Sequence, residues 1–249
     1  MYYRLFILLF FVFLFSTKKD ILLIQNSNEN SLADVNYKQY LISVDDVLKI
    51  DVFSQEIELS LEFNRNRQNV NQTKETMLFN GYQVNSEGVI DFPGVGKLKV
   101  EGLTVSQVSD IIFDRLVKKG LLNNPSVDVK VLNTFFTILG EVNNPGKYDY
   151  FQNNMDILQA IGMAGGLTIN GERKNIRIIR NIGDKRELFL VDLTSSNFLN
   201  SESFQIFSGD VIIINPNNSR IKNAGIIGNS GTLVSLLSFL LSSIILITN

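Results

Sequence analysis

The chain has 249 residues and a formal net charge of -2, from 23 Lys and Arg against 25 Asp and Glu. This length suits one large domain or two smaller ones, each with its own core, and we predict two. Without His or Cys, the chain has no imidazole base, thiol nucleophile, disulfide, or imidazole or thiolate metal ligand. Because its charges are balanced, the chain lacks the basic surface that nucleic-acid binding needs. We therefore expect no catalytic residue, no cofactor, no metal site and no nucleic-acid partner.

Residues 1–16 are predicted to form a signal or N-terminal membrane segment. One basic residue, Arg4, is followed by 11 apolar residues, Leu5–Phe15. This stretch is too short to span a bilayer core of about 30 Å as a helix, but it fits the apolar region of a signal peptide. An uncleaved anchor is the alternative, because the small-residue cleavage pattern is missing. Both interpretations favour export, and the polar residues 17–36 are predicted to form a linker.

Residues 37–131 are predicted to form a first α+β domain. The segment "YLISVDDVLKIDVF" (40–53) predicts two strands joined by a turn at Asp45 and Asp46. We interpret this acidic pair as turn residues, because aspartate before a strand is ordinary turn chemistry. Residues 54–80 are polar and lack periodicity, which predicts a long exposed loop.

The strongest helix signal of the chain follows "GYQVNSEGVIDFPGVGKLKVEGLT" (81–104), whose glycines predict turns between short strands and lack the spacing of a dinucleotide-binding loop. Thr104 fits an N-cap, Gln107 the capping-box position, and Gly120 the end of the helix. The valines of "NPSVDVKVL" (124–132) then predict a strand with one buried face. The predicted buried face of the helix comprises Val105, Val108, Ile111, Ile112 and Leu116.

Residues 132–216 are predicted to form a second α+β domain. "FFTILGEVNNPGKYDY" (135–150) predicts two strands around an Asn-Pro-Gly turn, and a short helix is predicted to stop at Gly165 and Gly166. Further strands are predicted in "NIRIIR", "RELFLVDL" and "SGDVIIINP". The segments Asp46–Ile50 and Asp210–Ile214 echo one another, and two α+β units are the economical interpretation.

Residues 232–249, "TLVSLLSFLLSSIILITN", carry no charge and follow a predicted Gly-rich hinge, 217–231, with Gly225, Gly228 and Gly231. As a helix, Thr232–Thr248 spans roughly 25 Å, close to the lower limit for a bilayer core of about 30 Å. The sequence therefore predicts a C-terminal transmembrane helix.

The hydroxyls of this helix fall within an arc of roughly 140°, into which only Phe239 and Leu246 intrude. We predict that this stripe lines a pore or packs against neighbouring helices, and both possibilities remain open. A monomeric tail anchor is a third alternative, but it needs no stripe. The stripe comprises Thr232, Ser235, Ser238, Ser242 and Ser243. The predicted lipid-facing residues are Leu233, Val234, Leu236, Leu237, Leu240, Leu241, Ile244, Ile245 and Ile247.

From Tyr37 to Pro216, these segments in this order resemble the outer-membrane polysaccharide export proteins. The first domain resembles a polysaccharide-export domain through "YLISVDDVLKIDVF", "NSEGVIDFPGVGKLKVEGLT" and "NPSVDVKVL". The second resembles a soluble-ligand-binding β-grasp (SLBB) domain through "GEVNNPGKYDY", "DILQAIGMAGGL", "NIRIIR" and "SGDVIIINP". The overall pattern is most similar to shorter Bacteroidetes-type members, in which the signal ends in a lipidated cysteine that this chain lacks.

The resemblance implies a homo-oligomeric ring with stacked periplasmic domains, in which one C-terminal helix per subunit lines a passive outer-membrane pore. It implies transport of capsule or exopolysaccharide without catalysis, and contact with outer-membrane lipid. The implied partner is an inner-membrane polysaccharide co-polymerase, often coupled to a tyrosine kinase. The alternative from another class is a monomeric, membrane-tethered module whose β-grasp domain binds or senses a soluble ligand.

Overall fold

The computed structural model describes residues 22–25, 37–65, 73–183 and 185–217, together with eight positions of the C-terminal segment. The predicted signal segment 1–16, most of the linker and most of the hinge lie outside the described residues. The strands are β1 (Val47–Phe53), β2 (Tyr82–Gln83), β3 (Val89–Phe92), β4 (Gly96–Lys99), β5 (Ser126–Val131), β6 (Phe135–Gly140), β7 (Gly146–Asp149), β8 (Met155–Asp156), β9 (Ile176–Ile182), β10 (Lys185–Val191), β11 (Gln205–Ile206) and β12 (Val211–Ile214). The helices are α1 (Ile57–Ser60), α2 (Lys74–Asn80), α3 (Val105–Lys118) and α4 (Ile157–Met163), with 3-10 turns at Leu61–Phe63 and Ser196–Asn200.

The first domain packs α3 against a three-stranded antiparallel sheet in the order β2-β1-β5, with β3 and β4 forming a hairpin. The predicted capping box of α3 is confirmed, because Gln107 N–H donates to the Thr104 hydroxyl and the Gln107 side chain accepts from Thr104 N–H. Three residues of the predicted apolar face, Val108, Ile112 and Leu116, are fully buried in the core. Two of the helix cues, the cap and the apolar spacing, were thus sufficient to place this element.

Two sequence predictions for the first domain are wrong. Residues 37–43 form no strand, because β2 occupies the place beside β1 that the predicted hairpin partner would take. The predicted loop 54–80 contains α1, α2 and a 3-10 turn. Phe63 in this turn is buried, with its ring centroid 6.4 Å from that of Phe92. The Asn64 side chain donates to Val52 O and accepts from Val52 N–H, each at 2.8 Å, so tertiary contacts order this segment.

The second domain is built on a five-stranded sheet in the order β10-β9-β12-β6-β7. β12 runs parallel to β6, and the other neighbouring pairs are antiparallel. α4 begins with a capping box from Asp156 and Gln159 and buries Ile157, Ala160 and Ile161 in the same core as the sheet. The strands predicted in this domain are present, and the two domains together form a mixed helix and strand fold as expected.

The C-terminal segment is described at positions 231, 234, 235, 238, 239, 242, 243 and 246, all of which are helical. Among the residues that the structure describes, no helix is long and apolar enough to cross a membrane. The transmembrane helix predicted over 232–249 therefore stays a prediction.

Gly140, at the end of β6, should be the position of the second domain that least tolerates a side chain. Its φ is 95°, and a Cβ built on it would lie 1.9 Å from the Ile214 carbonyl oxygen. We expect Gly140→Ala to lower the free energy of unfolding by about 2–4 kcal/mol through strain and displacement of β12. Urea titrations followed by circular dichroism measure this effect. Gly146→Ala is the control, because a Cβ there meets nothing within 4 Å; equal effects of both substitutions would contradict this reasoning.

Candidate functional site

The same chain reversal precedes the central strand of each sheet, at Ser43–Asp46 before β1 and at Phe207–Asp210 before β12. In both corners the aspartate N–H donates to the carbonyl three residues earlier at 3.2 Å, and the N–H of that earlier residue donates to the aspartate Oδ2 at 2.8 or 2.9 Å. The residue before the aspartate has a positive φ, 68° at Asp45 and 86° at Gly209. The sequence similarity between Asp46–Ile50 and Asp210–Ile214 therefore reflects one shared corner geometry.

Asp46, at the first corner, is a buried structural carboxylate. It is 6% exposed, and the Tyr40 hydroxyl donates to its two oxygens at 3.0 and 2.9 Å. Burial raises the pKa of Asp46 above its ordinary value, while hydrogen bonds from the Ser43 N–H and the Tyr40 hydroxyl oppose this rise. Burial, and then the adjacent Asp46 carboxylate, raise the pKa of Tyr40. Tyr40 therefore stays protonated at neutral pH and donates to the Asp46 carboxylate, which serves as a turn residue.

Asp210, at the second corner, is fully buried and paired with Arg180. Arg180 Nε and Nη2 donate to the two carboxylate oxygens at 3.0 and 2.8 Å, and Nη2 also donates to Gln205 O at 2.7 Å. The guanidinium carbon lies 4.4 Å from the Phe207 ring centroid. Burial raises the pKa of Asp210, and the Arg180 guanidinium opposes that rise. This geometry satisfies the buried pair from several directions, so it is suited to fixing structure.

The two corners lie at the junction between the domains, where side chains bond to backbone groups across the boundary. The Gln205 amide donates to Lys38 O and accepts from Lys38 N–H, each at 2.8 Å. The Asn133 side chain accepts from Val47 N–H and donates to Asp45 O, each at 2.9 Å. These paired bonds fix the segment before β1, and the connection between the domains, in one geometry.

An open cavity of about 600 Å³ lies at this junction. We call it the interdomain cleft. One wall comes from the N-terminal end of α3 and from β5; the other comes from residues 150–154 and 205–207, with Tyr40 and Thr134 between them. A cavity of this size lies within the range of small-molecule binding sites. The arrangement can therefore admit a ligand between two domains.

Three of the four described serines of the predicted stripe donate their hydroxyls within the helix. Ser235 Oγ donates to Gly231 O, Ser242 Oγ to Ser238 O, and Ser243 Oγ to Phe239 O, each at 2.8 Å. Such bonds to the carbonyl four residues earlier leave no free hydroxyl donor at these positions. The other predicted stripe and lipid-facing residues lie outside the described residues: Thr232, Leu233, Leu236, Leu237, Leu240, Leu241, Ile244, Ile245 and Ile247. Pore lining, helix packing and lipid contact stay predictions for the whole stripe.

The sequence did not predict the interdomain cleft or the partners at the junction. Arg180 and Gln205 are isolated polar residues whose partners lie 30 and 167 positions away in the chain. Tyr40 lies only six residues before Asp46, but no periodic pattern marks it as a partner. The echo of the two aspartates before buried strands was the only sequence signal that pointed to this region. Among the described residues, no group of three or more acidic side chains is placed to hold a metal ion.

The fold and junction define a two-domain protein, and two family models match these domains. Residues 34–132 match the model described as "Polysaccharide biosynthesis/export protein", and residues 135–189 match the SLBB domain. The chain therefore carries a domain of the polysaccharide biosynthesis/export family, followed by an SLBB domain. Members of this family are transport components and not enzymes. The narrower resemblance to Bacteroidetes-type members stays a prediction.

Three named relatives carry related sequences. The chain is 28% identical over 204 residues to the "EPS I polysaccharide export outer membrane protein EpsA" of Ralstonia nicotianae, covering 76% of this chain and 51% of the relative. It is 29% identical over 140 residues to the protein of the same name from Ralstonia solanacearum, covering 55% and 36%. It is 36% identical over 96 residues to the "Exopolysaccharide production protein ExoF" of Rhizobium meliloti, covering 37% and 23%. The chain thus spans about half the length of one relative and less of the other two.

Removing the cation beside Asp210 should destabilise the second domain. Arg180→Met leaves a fully buried carboxylate without its counter-ion, which costs about 3–5 kcal/mol in the free energy of unfolding. Arg180→Met combined with Asp210→Asn should recover part of this loss, because the neutral amide oxygen still accepts from the Phe207 N–H. Urea titrations followed by circular dichroism compare the variants in a chain without tryptophan. If the double variant loses as much free energy of unfolding as the two single variants lose together, the charge argument is contradicted.

The raised pKa of Asp46 predicts how stability depends on pH. The folded protein binds a proton at Asp46 more tightly than the unfolded chain does, so the linked stability is present below about pH 4. It is lost as the pH rises through the folded-state pKa. We expect the stability of the wild type relative to Asp46→Asn to fall as the pH rises above about 4 and through the raised folded-state pKa, measured by urea unfolding at each pH. The opposite trend would mean that hydrogen bonds to the carboxylate outweigh its desolvation.

Proposed function

We propose that the chain is a structural component of a polysaccharide exporter in the outer membrane, with both domains in the periplasm. The observation that carries this proposal is the order of an export domain and an SLBB domain over residues 34–189. Relatives with which the chain shares up to 204 aligned residues are named polysaccharide export outer membrane proteins. The chain spans about half the length of that relative. The activity of a complete exporter is therefore a proposal for this chain.

The chain is further proposed to self-associate into a ring whose C-terminal helices line a passive pore. The uncharged segment 232–249 and the helical conformation of its described positions support this proposal. Val234, Phe239 and Leu246 are 62%, 72% and 84% exposed, so this segment presents apolar side chains that need a partner or lipid. Back-bonded serines suit a membrane helix, because they add no unsatisfied donor to an apolar setting.

The same serines suit contact with a carbohydrate. A hydroxyl that donates within its helix still has oxygen lone pairs that accept from a sugar or from a neighbouring helix. Neutral groups offer exchangeable hydrogen bonds without a fixed charge that would hold the polymer. The proposed partners are other copies of this chain, the polysaccharide, outer-membrane lipid and an inner-membrane polysaccharide co-polymerase with its tyrosine kinase. In this mechanism the polymer enters the pore when the co-polymerase is aligned below it.

A monomeric, membrane-tethered binding module is the second candidate function. The interdomain cleft favours it, because a cavity of about 600 Å³ can hold a soluble ligand without any oligomer. Particle size separates the two functions. Electron microscopy of the detergent-extracted full chain should reveal closed rings if the pore proposal is right, whereas a monomer would reject it.

Bulk added along the serine stripe should block export before it affects folding. We expect a triple Leu variant at Ser235, Ser238 and Ser242 to lower surface polysaccharide by about tenfold or more, because large side chains narrow a pore and disturb helix contacts. The readout is surface polysaccharide in cells whose own copy of the gene is deleted, with membrane levels of the chain checked in parallel.

The matched control changes the same three serines to Ala, which removes the hydroxyls without adding bulk. Retained export with Ala and lost export with Leu would assign the effect to size, whereas loss with both would assign it to the hydroxyls. Normal export with the Leu variant, present at normal levels in the membrane, would reject a role for this stripe.

A further inference from the structure

We propose that the interdomain cleft is a binding site for a short, uncharged saccharide segment. The inference deepens the proposed function, from which it takes the exported polymer as the source of the saccharide. It places a contact with the polymer in the two domains and not only in the pore segment. Three properties of the cleft support it: a lining without net charge, free hydrogen-bonding groups and an exposed aromatic surface.

The lining of the cleft carries no net charge. Asp128 and Lys130 are the only charged residues among those that line the described cavity, and their side chains pair with each other at 2.9 Å. No free cation is left there to hold a phosphate or carboxylate, and no free anion to hold an amine. The lining therefore favours a neutral ligand that is rich in polar groups.

The cleft also offers free hydrogen-bonding groups. The side chains of Gln39, Ser106, Gln152, Asn153 and Asn154 line the cleft, and none of them hydrogen-bonds to another residue in the described part of the chain. A primary amide offers two donors and an acceptor, and each sugar hydroxyl is itself a donor and an acceptor. Four amides and one hydroxyl around a cavity thus match the hydroxyl pattern of a saccharide better than that of an apolar ligand.

An aromatic surface lies beside these amides. Phe151 is 63% exposed and directly precedes Gln152, Asn153 and Asn154, so one short segment supplies both an apolar ring and three amides. Tyr150 and Phe207 add aromatic surface to the same wall. Large amphipathic surfaces of this kind cover the C–H faces of a sugar ring while polar groups bind its edges. The Phe151 ring, which the described part of the chain leaves exposed, can therefore stack on a sugar ring.

The cleft is also held in shape before any ligand arrives. Gln205 lines it and is fixed by its two bonds to the Lys38 backbone, and the Thr134 hydroxyl donates to the Tyr150 carbonyl beneath the aromatic wall. Walls that are already ordered reduce the entropy that binding must remove. A saccharide can then be retained by a few hydrogen bonds from each domain.

The test is binding of oligosaccharides to the purified full chain in detergent, measured by isothermal titration calorimetry. The probes are short linear neutral glucans, mannans and galactans, with alginate and hyaluronan oligosaccharides as acidic comparators. We expect at least one neutral probe to bind more tightly than the acidic ones. Replacing Phe151, Asn153 and Asn154 together with Ala should weaken that binding about tenfold or more, since the ring contact and several hydrogen bonds are lost.

Two further variants decide where the saccharide binds. Ser106→Trp fills the cleft from the first domain and should weaken binding as strongly as the triple Ala variant does. Phe79→Ala combined with Asn175→Ala removes an exposed ring and an exposed amide outside the cleft and should leave binding unchanged. Circular dichroism confirms that each variant is folded.

The inference is overturned if no neutral probe binds, if an acidic probe binds more tightly, or if the cleft variants bind as well as the wild type does. These outcomes are separate from the fate of the pore proposal. Closed rings that bind no saccharide would reject the saccharide site in the cleft but would still support the pore proposal. A monomer whose cleft binds saccharide would reject the pore proposal and support the saccharide site in the cleft.

Discussion

Two buried aspartates, Asp46 and Asp210, each fix the start of the central strand of a sheet. β1 lies between β2 and β5, and β12 lies between β9 and β6, so a shift in either strand would displace both of its neighbours. A shift of one residue would also turn the buried face of the strand towards solvent. By accepting the N–H three residues earlier, each carboxylate sets where its strand begins. The register of both domains depends on these two corners.

Burying a carboxylate is costly, and the two domains offset this cost differently. Asp46 has neutral partners, the Tyr40 hydroxyl and the Ser43 N–H, whereas Asp210 has the Arg180 guanidinium and the Phe207 N–H. Unpaired, either group would be strongly unfavourable in the interior. Because Tyr40 lies in the segment before the first corner and Arg180 lies on β9, satisfying the two carboxylates also holds that segment and β9 at the junction. The interdomain cleft is a consequence of this arrangement.

The junction and the C-terminal segment suggest how one chain handles a hydrated polymer at two places. The cleft offers free amides on fixed walls, whereas the hydroxyls of Ser235, Ser242 and Ser243 are already bonded within the described C-terminal helix. Groups with unused donors suit recognition, and groups with satisfied donors suit passage through an apolar layer. In the proposed exporter, recognition and conduction would therefore lie in different parts of the molecule.

Local signals were enough to predict much of this fold from the sequence. The cap, capping box and apolar spacing of α3 depend on residues within a few positions of each other, and so do the alternating strands and the Asn-Pro-Gly turn of the second domain. The apolar, serine-striped C-terminus and the two-domain order were also apparent in the sequence alone. The failures at 40–43 and 54–80 have the opposite cause. Competition from β2 and the contacts of Phe63 and Asn64 join positions far apart in the chain, and no local pattern encodes them.

For the candidate site, too, local features were predicted from the sequence and long-range contacts were not. The sequence determined a serine stripe, because helical periodicity places it without reference to any other segment. It also showed the echo of the two aspartates, but not their partners. Only the tertiary structure decided that Tyr40 and Arg180 would satisfy them, that Gln205 would bind the Lys38 backbone, and that a neutral cleft would open between the domains. Each of these depends on polar groups more than a few residues apart that meet only when both cores have formed.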